Sequence, residues 1–379
     1  MESKQIRTLE EALETLESGI RDFMDSDTYQ KYLSAIGRFH NYSTGNILLI
    51  TSQRPDATLV AGYTTWKKMN RQVKKGERGI RIIAPVPVRV EKEEMKRDEL
   101  GNLRKERVAV TVPRFHMVTV FDVTQTEGEP LPNIAPRDLR GSVENYRDFL
   151  TALLRASRVP VSFSEIGGGP RGYFDIGNER IVIREGMSEA QTVKTLVHEM
   201  AHSFLHNSDS GRTAIPQKTK EVEAESAAFA VCSRFGIDTS DYTFPYVSGW
   251  SGEQDLGTLK ASMDQIREVS SRLIHRIEYE YENVLREKEL PAVAAELAGL
   301  RVGADDRMTP GPPADLQRTA AMERLLDRGN VDGILRDLRS YSERESDMNN
   351  RRVLEGLIGK VERYLPRTEE TAEKGGWER

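Results

Sequence analysis

The sequence predicts an α+β protein in three parts: a mixed N-terminal unit, a unit of strands and helices around a metal motif, and a helical C-terminal region. Three observations carry that prediction. Amphipathic helices give way to short apolar strands between residues 4 and 121, His198-Glu-Met-Ala-His202 lies in an apolar segment of helical period, and helical spacing dominates after Asp255. With 379 residues, the chain is long enough for two or three domains. The boundaries read as residues 1–128, a linker at 129–142, a metal domain at 143–290, a linker at 291–313, a helical region at 314–365 and a polar, disordered tail at 366–379.

In order, residues 4–24 carry Ile6, Leu9, Leu13, Leu16, Ile20 and Phe23 at helical spacing. A second helix is expected over Thr28–Phe39, and a short apolar one after Tyr42-Ser-Thr-Gly-Asn46, ending near Gln53. Residues 58–63 read as extended, and Gly62-Tyr63-Thr-Thr-Trp66 opens a short helix. Ile80–Val90 has strand character near an edge, because Pro85 and Pro87 lack the ladder donor. The charged run 91–107 reads as an exposed hairpin loop, followed by strands at Val108–Val112 and His116–Phe121. Gly128–Arg140, with three prolines, reads as a linker. A helix over Val143–Ala156, a strand over Val159–Phe163, a Gly167–Pro170 turn, Gly172–Asp175 and the strand Arg180–Arg184 lead to the metal helix. Arg180–Arg184 is the candidate edge beside the metal for an extended peptide. Asp238–Gly252 is aromatic and rich in turns. A long helix follows from Asp255 or Leu256 to about Leu290, then helices at about 315–328, 331–340 and 350–364.

Net charge is −5, which gives no global case for nucleic acid. No apolar run is long enough to span a bilayer, and the first residues lack a signal-peptide core. Cys232 is the only cysteine, so no disulfide forms within the chain and a reducing cytoplasm is expected.

His198 and His202, four apart, project from one helix face, with Glu199 beside them: the H-E-x-x-H arrangement of zinc metallopeptidases. Ser188 is placed to cap this helix and Gln191 to complete a capping box. The alternative is a buried helix whose histidines only hydrogen-bond. The next helix, Lys220–Phe235, weighs against that alternative. It presents Glu221 and Glu225 on one face among small residues, so a carboxylate can complete a His-His-Glu set and leave a fourth position open. Two histidines and one glutamate suit a mononuclear hydrolytic site better than a two-metal nuclease.

Between Trp66 and Arg81 lie Lys67, Lys68, Arg71, Lys74, Lys75, Arg78 and Arg81 against a single acid, Glu77. Interleaved with Tyr42, Tyr63 and Trp66, and with Asn46 and Gln53 nearby, this run has the composition of a groove for single-stranded nucleic acid. A solvated basic face, with Trp66 as a core anchor, is the competing reading.

Several blocks then occur in one order: Tyr42-Ser-Thr-Gly-Asn46 with its Ile-Leu-Leu-Ile run, Gly62-Tyr-Thr-Thr-Trp66, Val73-Lys-Lys-Gly-Glu-Arg-Gly-Ile80 and Val120-Phe-Asp-Val-Thr-Gln-Thr126. On these the chain resembles the antirestriction ArdC family, a single-stranded-DNA-binding domain joined to a zincin-like metallopeptidase domain; the latter also looks like the ImmA/IrrE group. The resemblance covers about residues 10–130 and 145–250 and nothing beyond about 290. It implies DNA contact through Tyr42, Asn46, Tyr63, Trp66, Lys67, Lys68, Arg71, Lys74, Lys75, Arg78 and Arg81. It also implies one Zn²⁺, or another divalent metal, on His198, His202 and Glu221. Glu225 would hold the second nitrogen of a histidine ligand, with Glu223 pointing elsewhere. If the domain is a peptidase, Glu199 is the general base for a metal-activated water, and Tyr246, Tyr242 or His206 a donor to the oxyanion. Met200-Ala-His202-Ser-Phe departs from the family's glycine and aromatic at these positions. The expected partners are single-stranded DNA and a protein or peptide substrate, without a membrane. The alternative is a non-proteolytic antirestriction or DNA-protection protein whose metal domain is structural or binds protein; a basic patch for a protein partner is the third reading.

Overall fold

The computed structural model describes residues 6, 8–21, 26–97, 103–131, 143–207, 211, 215–237, 255–302, 308–310, 321, 325 and 328–365. Tyr242, Tyr246 and the rest of the 238–252 segment lie outside these residues. So do the tail at 366–379 and most of the expected linker at 128–140 and helix at 315–328. The described residues group into two compact units, one drawn from 1–140 and 158–274, the other from 141–157 and 275–376.

The first unit opens with α1 (Leu9–Arg21), α2 (Ser26–Phe39) and α3 (Thr44–Gln53). Ser43 caps α3 by accepting from the Asn46 N–H at 3.3 Å. Ile47, Leu48, Leu49 and Ile50 are all buried, as a helix packed on several sides requires. A three-stranded antiparallel sheet follows, in the order β1 (Val60–Gly62), β4 (Leu103–Asp122), β3 (Ile80–Arg97). Along the outer edge of β3, Asn46 and Gln53 stand in for a fourth strand. The Asn46 amide donates to Ile83 O at 2.8 Å and accepts from Ile83 N at 2.9 Å. Gln53 makes the same pair of bonds with Arg81, at 2.8 and 2.9 Å. Two amides two helical turns apart thus match alternate residues of a strand, whose backbone groups point the same way.

Beyond this base, β3 and β4 continue as a two-stranded ribbon to Arg97 opposite Leu103. The ribbon therefore runs into the 91–107 segment expected to be a loop, and β4 is one strand where two were expected. Both edges of a two-stranded ribbon are free, so prolines break no further ladder; Pro87 sits opposite Pro113. The short helix α4 (Tyr63–Lys68) and a small pair, β2 (Arg71–Val73) with β5 (Thr126–Gly128), complete this region. β2 and β5, three residues each, had no periodicity to announce them.

Asp122 ties these pieces together. Its fully buried carboxylate accepts from the N–H groups of Thr58 (2.7 Å), Leu59 (3.1 Å) and Thr124 (3.0 Å), and from the Thr124 hydroxyl (2.7 Å). Gln125 closes a capping box by accepting from the Asp122 N–H at 3.0 Å. Those four bonds outweigh the cost of burial and hold the Asp122 carboxyl below its ordinary range.

The rest of the first unit is a second sheet, β6 (Val161–Ser164), β8 (Arg180–Arg184), β7 (Gly172–Asp175), with α6 (Glu189–Leu205), α7 (Gln217–Arg234) and the start of α8 (Leu256–Ala298). β8 is the central strand, parallel to β6 and antiparallel to β7. Arg180–Arg184 is thus not the free edge expected of it; that edge belongs to β7. Gly172 lets β7 pass close to α6, since a Cβ there would stand 2.8 Å from Thr195 Cγ2.

One core runs through this unit. Ile36, Ile47, Leu49 and Ile80 belong to the same buried cluster as Val222 and Phe229 of α7 and Met263 and Ile266 of α8. Between α2 and α7, Tyr29 Oη lies 2.8 Å from Ser226 Oγ, both buried. At Gly37 a Cβ would come within 2.7 Å of Ala230 O.

The second unit contains α5 (Val143–Ala156), the later part of α8, the pair β9 (Leu300–Val302) and β10 (Met308–Pro310), α9 (Arg328–Arg344) and α10 (Met348–Glu362). Leu290, Val293, Leu335, Leu338, Leu357 and Val361 form its core. Arg155 and Glu287 make a two-pronged ion pair at 2.8 and 2.9 Å. α8 continues through Pro291, past the end expected at about Leu290. Among the described residues, no helix is long and apolar enough to cross a membrane.

Candidate metal centre

α6 presents the H-E-x-x-H residues because of how its two ends and its apolar face are fixed. Ser188 caps its N-terminus by accepting from the Gln191 N–H at 3.3 Å. The expected capping box is only half formed, because the Gln191 amide turns forward to Thr195 Oγ1 at 3.2 Å. Val193, Leu196, Val197, Met200, Ala201 and Phe204 are buried, which turns His198 and His202 toward α7. Alanines 224, 227, 228 and 230 of α7 are fully buried, the small-residue face the sequence suggested.

Glu221 of α7 meets the two histidines. His198 Nε2 lies 3.1 Å from His202 Nε2, and Glu221 Oε2 stands 3.7 and 3.6 Å from them. Among the described residues, this is the one His/Cys/Asp/Glu cluster whose ligand atoms converge, within 4.8 Å of one another. Ligands bound at about 2.1 Å in a tetrahedron are about 3.4 Å apart, so the observed spacings bracket the value for a zinc-sized ion. The chemistry agrees with the spacing. Two imidazole lone pairs and a carboxylate facing one point repel each other unless a cation stands between them. Glu221 keeps 47% of its side chain exposed, leaving one side of the site open.

The electrostatics point the same way. Burial works against a charge on His198, yet the nearby Glu221 carboxylate and the fields of Glu199 and Glu225 raise its pKa above the ordinary value. The proximity of His198 and His202 holds the Glu221 carboxyl well below the usual carboxylate range. A site that favours an extra proton in this way favours a metal cation for the same reason. Glu199 is 7% exposed, and burial raises its pKa against the pull of both histidines. The Phe174 N–H, on the outer edge of β7, donates to its carboxylate.

The histidine surroundings differ from expectation. His202 Nδ1 faces His206 Nδ1 at 3.1 Å, and His206 Nε2 lies 3.2 Å from Glu223 Oε2. The second nitrogen of His202 is therefore held by His206, and Glu223 points into the site's buried side. Glu225 contributes to the field at His198. His206, with 2% of its side chain exposed, is a packed neighbour of a ligand and not a donor facing a substrate.

The residues expected at a nucleic-acid surface divide into two sets. Trp66 is fully buried and donates from Nε1 to Phe121 O at 2.9 Å, which makes it the core anchor and not a stacking platform. Tyr42 gives its hydroxyl to Val60 O at 2.9 Å and packs on the core, burial pushing its pKa up to about 12. Asn46 pairs with β3, as described. Arg71 is bonded to Thr126 and to the Glu129 carbonyl, and Arg81 to Thr119 Oγ1 at 2.9 Å. Of these, Trp66 alone is fully buried; Tyr42, Asn46, Arg71 and Arg81 are half-buried and tied to neighbouring groups, which the local basic composition does not report. Tyr63, 51% exposed, and Lys67, Lys68, Lys74, Lys75 and Arg78 remain on the surface around α4 and the β2–β3 turn. Lys74 also donates to Thr124 O at 2.9 Å.

Residues 6–121 match the family model for the N-terminal domain of the anti-restriction factor ArdC. The chain is 27% identical over 289 residues to an uncharacterized protein of Bacillus anthracis, an alignment covering 67% of this chain and 48% of that one. The chain thus spans about half the length of the curated relative it matches. Two crystal structures of the antirestriction ArdC protein from the R388 plasmid, one metal-free and one Mn(II)-bound, are similar at 22% identity. Both comparisons cover 64% of this chain and 85% of that protein, with TM-scores of 0.39 and 0.37.

Proposed function

We propose that this chain is a DNA-protection protein of the antirestriction type, which binds single-stranded DNA through its N-terminal part and holds one divalent cation on His198, His202 and Glu221. The observation that carries the second half is the convergence of three ligand atoms at 3.1–3.7 Å from two helices. The match of residues 6–121 supports the first half. Lys67, Lys68, Lys74, Lys75 and Arg78 would track phosphates, and Tyr63 is the exposed aromatic among them on which a base can stack. Two imidazoles and a carboxylate suit zinc, and they also accommodate manganese. Cys232, buried and in no disulfide, fits a reducing cytoplasm.

A second reading, peptide hydrolysis in a zincin-like domain, is favoured by one observation, the placement of Glu199. When bound, the cation would supply a Lewis acid at the open side of the site. Glu199 would hold and return a proton there, its carboxylate oriented by the Phe174 N–H and its basicity raised by burial. The β7 edge would offer backbone groups to an extended substrate.

Metal content and single-stranded-DNA affinity measured on one preparation, beside His198→Ala and Glu199→Gln, test both readings. One cation per chain, lost in His198→Ala while DNA binding persists, is the expected result. A chain that folds in the presence of zinc or manganese and takes up neither refutes the metal centre. Glu199→Gln should leave metal and DNA binding intact; only under the hydrolytic reading does it also abolish a cleavage that the wild type performs.

A further inference from the structure

We infer that His206 and Glu223 form a positioning pair, which holds His202 with its proton on Nδ1 and so turns a bare Nε2 toward the cation. This rests on the reading of His198, His202 and Glu221 as a metal centre. His206 is the C-cap residue of α6; its backbone N–H still donates to His202 O at 2.8 Å, while φ −128° and ψ 23° turn it out of the helix. Its ring lies against His202, the centroids 5.2 Å apart and tilted by 52°. The two imidazoles meet Nδ1 to Nδ1 at 3.1 Å, and Glu223 Oε2 stands 3.2 Å from His206 Nε2. The side chains of His206 and Glu223 are 2% and 0% exposed, so the pair is shielded from bulk water.

Proton accounting gives this row a direction. A neutral imidazole has one donor and one acceptor nitrogen, and an ionised carboxylate only accepts. If Glu223 accepts from His206 Nε2–H, then His206 Nδ1 is bare and accepts from His202 Nδ1–H. His202 Nε2 is then bare, and it faces His198 Nε2 at 3.1 Å. The reverse order would put a proton on His202 Nε2, between the two histidines, where the cation must sit. α7 thus delivers a ligand, Glu221, and an anchor, Glu223, from different faces of one helix. Partners of this kind, one shell out, fix ring orientation and tautomer in metal sites generally. Here the link runs through a second histidine.

The test is equilibrium affinity for zinc and for manganese(II), by competition with a chromogenic chelator, in the full chain and in His206→Ala, His206→Asn and Glu223→Gln. His206→Ala and Glu223→Gln should each bind about 10–100-fold more weakly than wild type. His206→Asn, whose amide oxygen can accept from His202 Nδ1–H but whose NH₂ can equally donate to it, should recover only part of the affinity lost in His206→Ala. Nitrogen-15 NMR of histidine-labelled, metal-free protein gives a readout that mere packing would not move. It should show His202 as the Nδ1–H tautomer in wild type and as a mixture in Glu223→Gln, whose amide can donate as well as accept. Urea midpoints establish which variants fold; if His206→Ala does not, the affinity of Glu223→Gln and the wild-type tautomer decide the matter. Undiminished affinity in folded His206→Ala and Glu223→Gln, or an Nε2–H tautomer in wild type, overturns the positioning role. Failure of the wild-type chain to bind either cation overturns the metal reading itself, a distinguishable result.

Discussion

Replacing Asp122 with asparagine should destabilise the first unit by about 4 kcal/mol. The carboxylate accepts four hydrogen bonds in a fully buried position. An asparagine with its oxygen toward Thr58 and Leu59 keeps those two bonds but removes their charge, about 1 kcal/mol each. Its amide nitrogen then opposes the Thr124 N–H, leaving a buried donor without an acceptor at a cost of about 1–3 kcal/mol. The Thr124 hydroxyl can rotate to accept and adds little. Urea unfolding at neutral pH, followed by tryptophan fluorescence, reads the effect. The acid limb gives an independent check of sign. The folded pKa of Asp122 is depressed, so its contribution is complete above the unfolded value of about 3.9 and disappears as pH falls through the folded one. The gap between wild type and variant should therefore narrow below about pH 4. A loss under 1 kcal/mol at neutral pH, or a gap that widens in acid, would refute the reasoning.

Further perturbations follow from the same geometry. Gly37→Ala sets a Cβ against Ala230 O and should lower stability by about 1–3 kcal/mol, read as a lower melting temperature. Glu221→Gln removes the charged ligand and should weaken zinc binding by more than the 10–100-fold typical of an outer-shell change, measured by chelator competition. Neutralising Lys74, Lys75 and Arg78 together should reduce the salt slope of single-stranded-DNA binding by about 2, at about 0.7 per phosphate contact; an unchanged slope assigns the patch another partner. Trp66→Ala should cost about 3–5 kcal/mol in a urea melt, as for any fully buried aromatic.

The convergence of His198, His202 and Glu221 was legible because α-helical periodicity alone brings the two histidines to one face, and because Glu221 lies in a helix whose small residues announce close packing. The N-cap at Ser188 was legible for a similarly local reason. The row from His202 to Glu223 was not. It depends on the turn at His206, just past the helix end, and on the depth to which α7 buries Glu223, and neither has a pattern in the sequence. The same holds for Trp66, Tyr42 and Asn46. Their composition and neighbours suit a groove, and only the position of β3 and β4 shows that two lie against the core and the third closes a sheet edge. β8 reads as an apolar strand whether it is central or at an edge, so its neighbours β6 and β7 could be placed only in three dimensions.

The junction of α2 with α7 bears on how such a gene can be cut and recombined. A fragment ending before residue 143 would carry Tyr29, Leu33 and Ile36, all buried in the intact chain, but none of the α7 side chains that share their cluster. It would also lose Ser226, the hydroxyl partner of Tyr29. The remaining segment would in turn bare Val222, Phe229 and Ala230 of α7. The sticky halves would favour re-association or aggregation over independent life. Inheritance, truncation and fusion at the proline-rich stretch therefore act on a single folding unit, and a donor that supplied only one half would have to supply a substitute for that shared face.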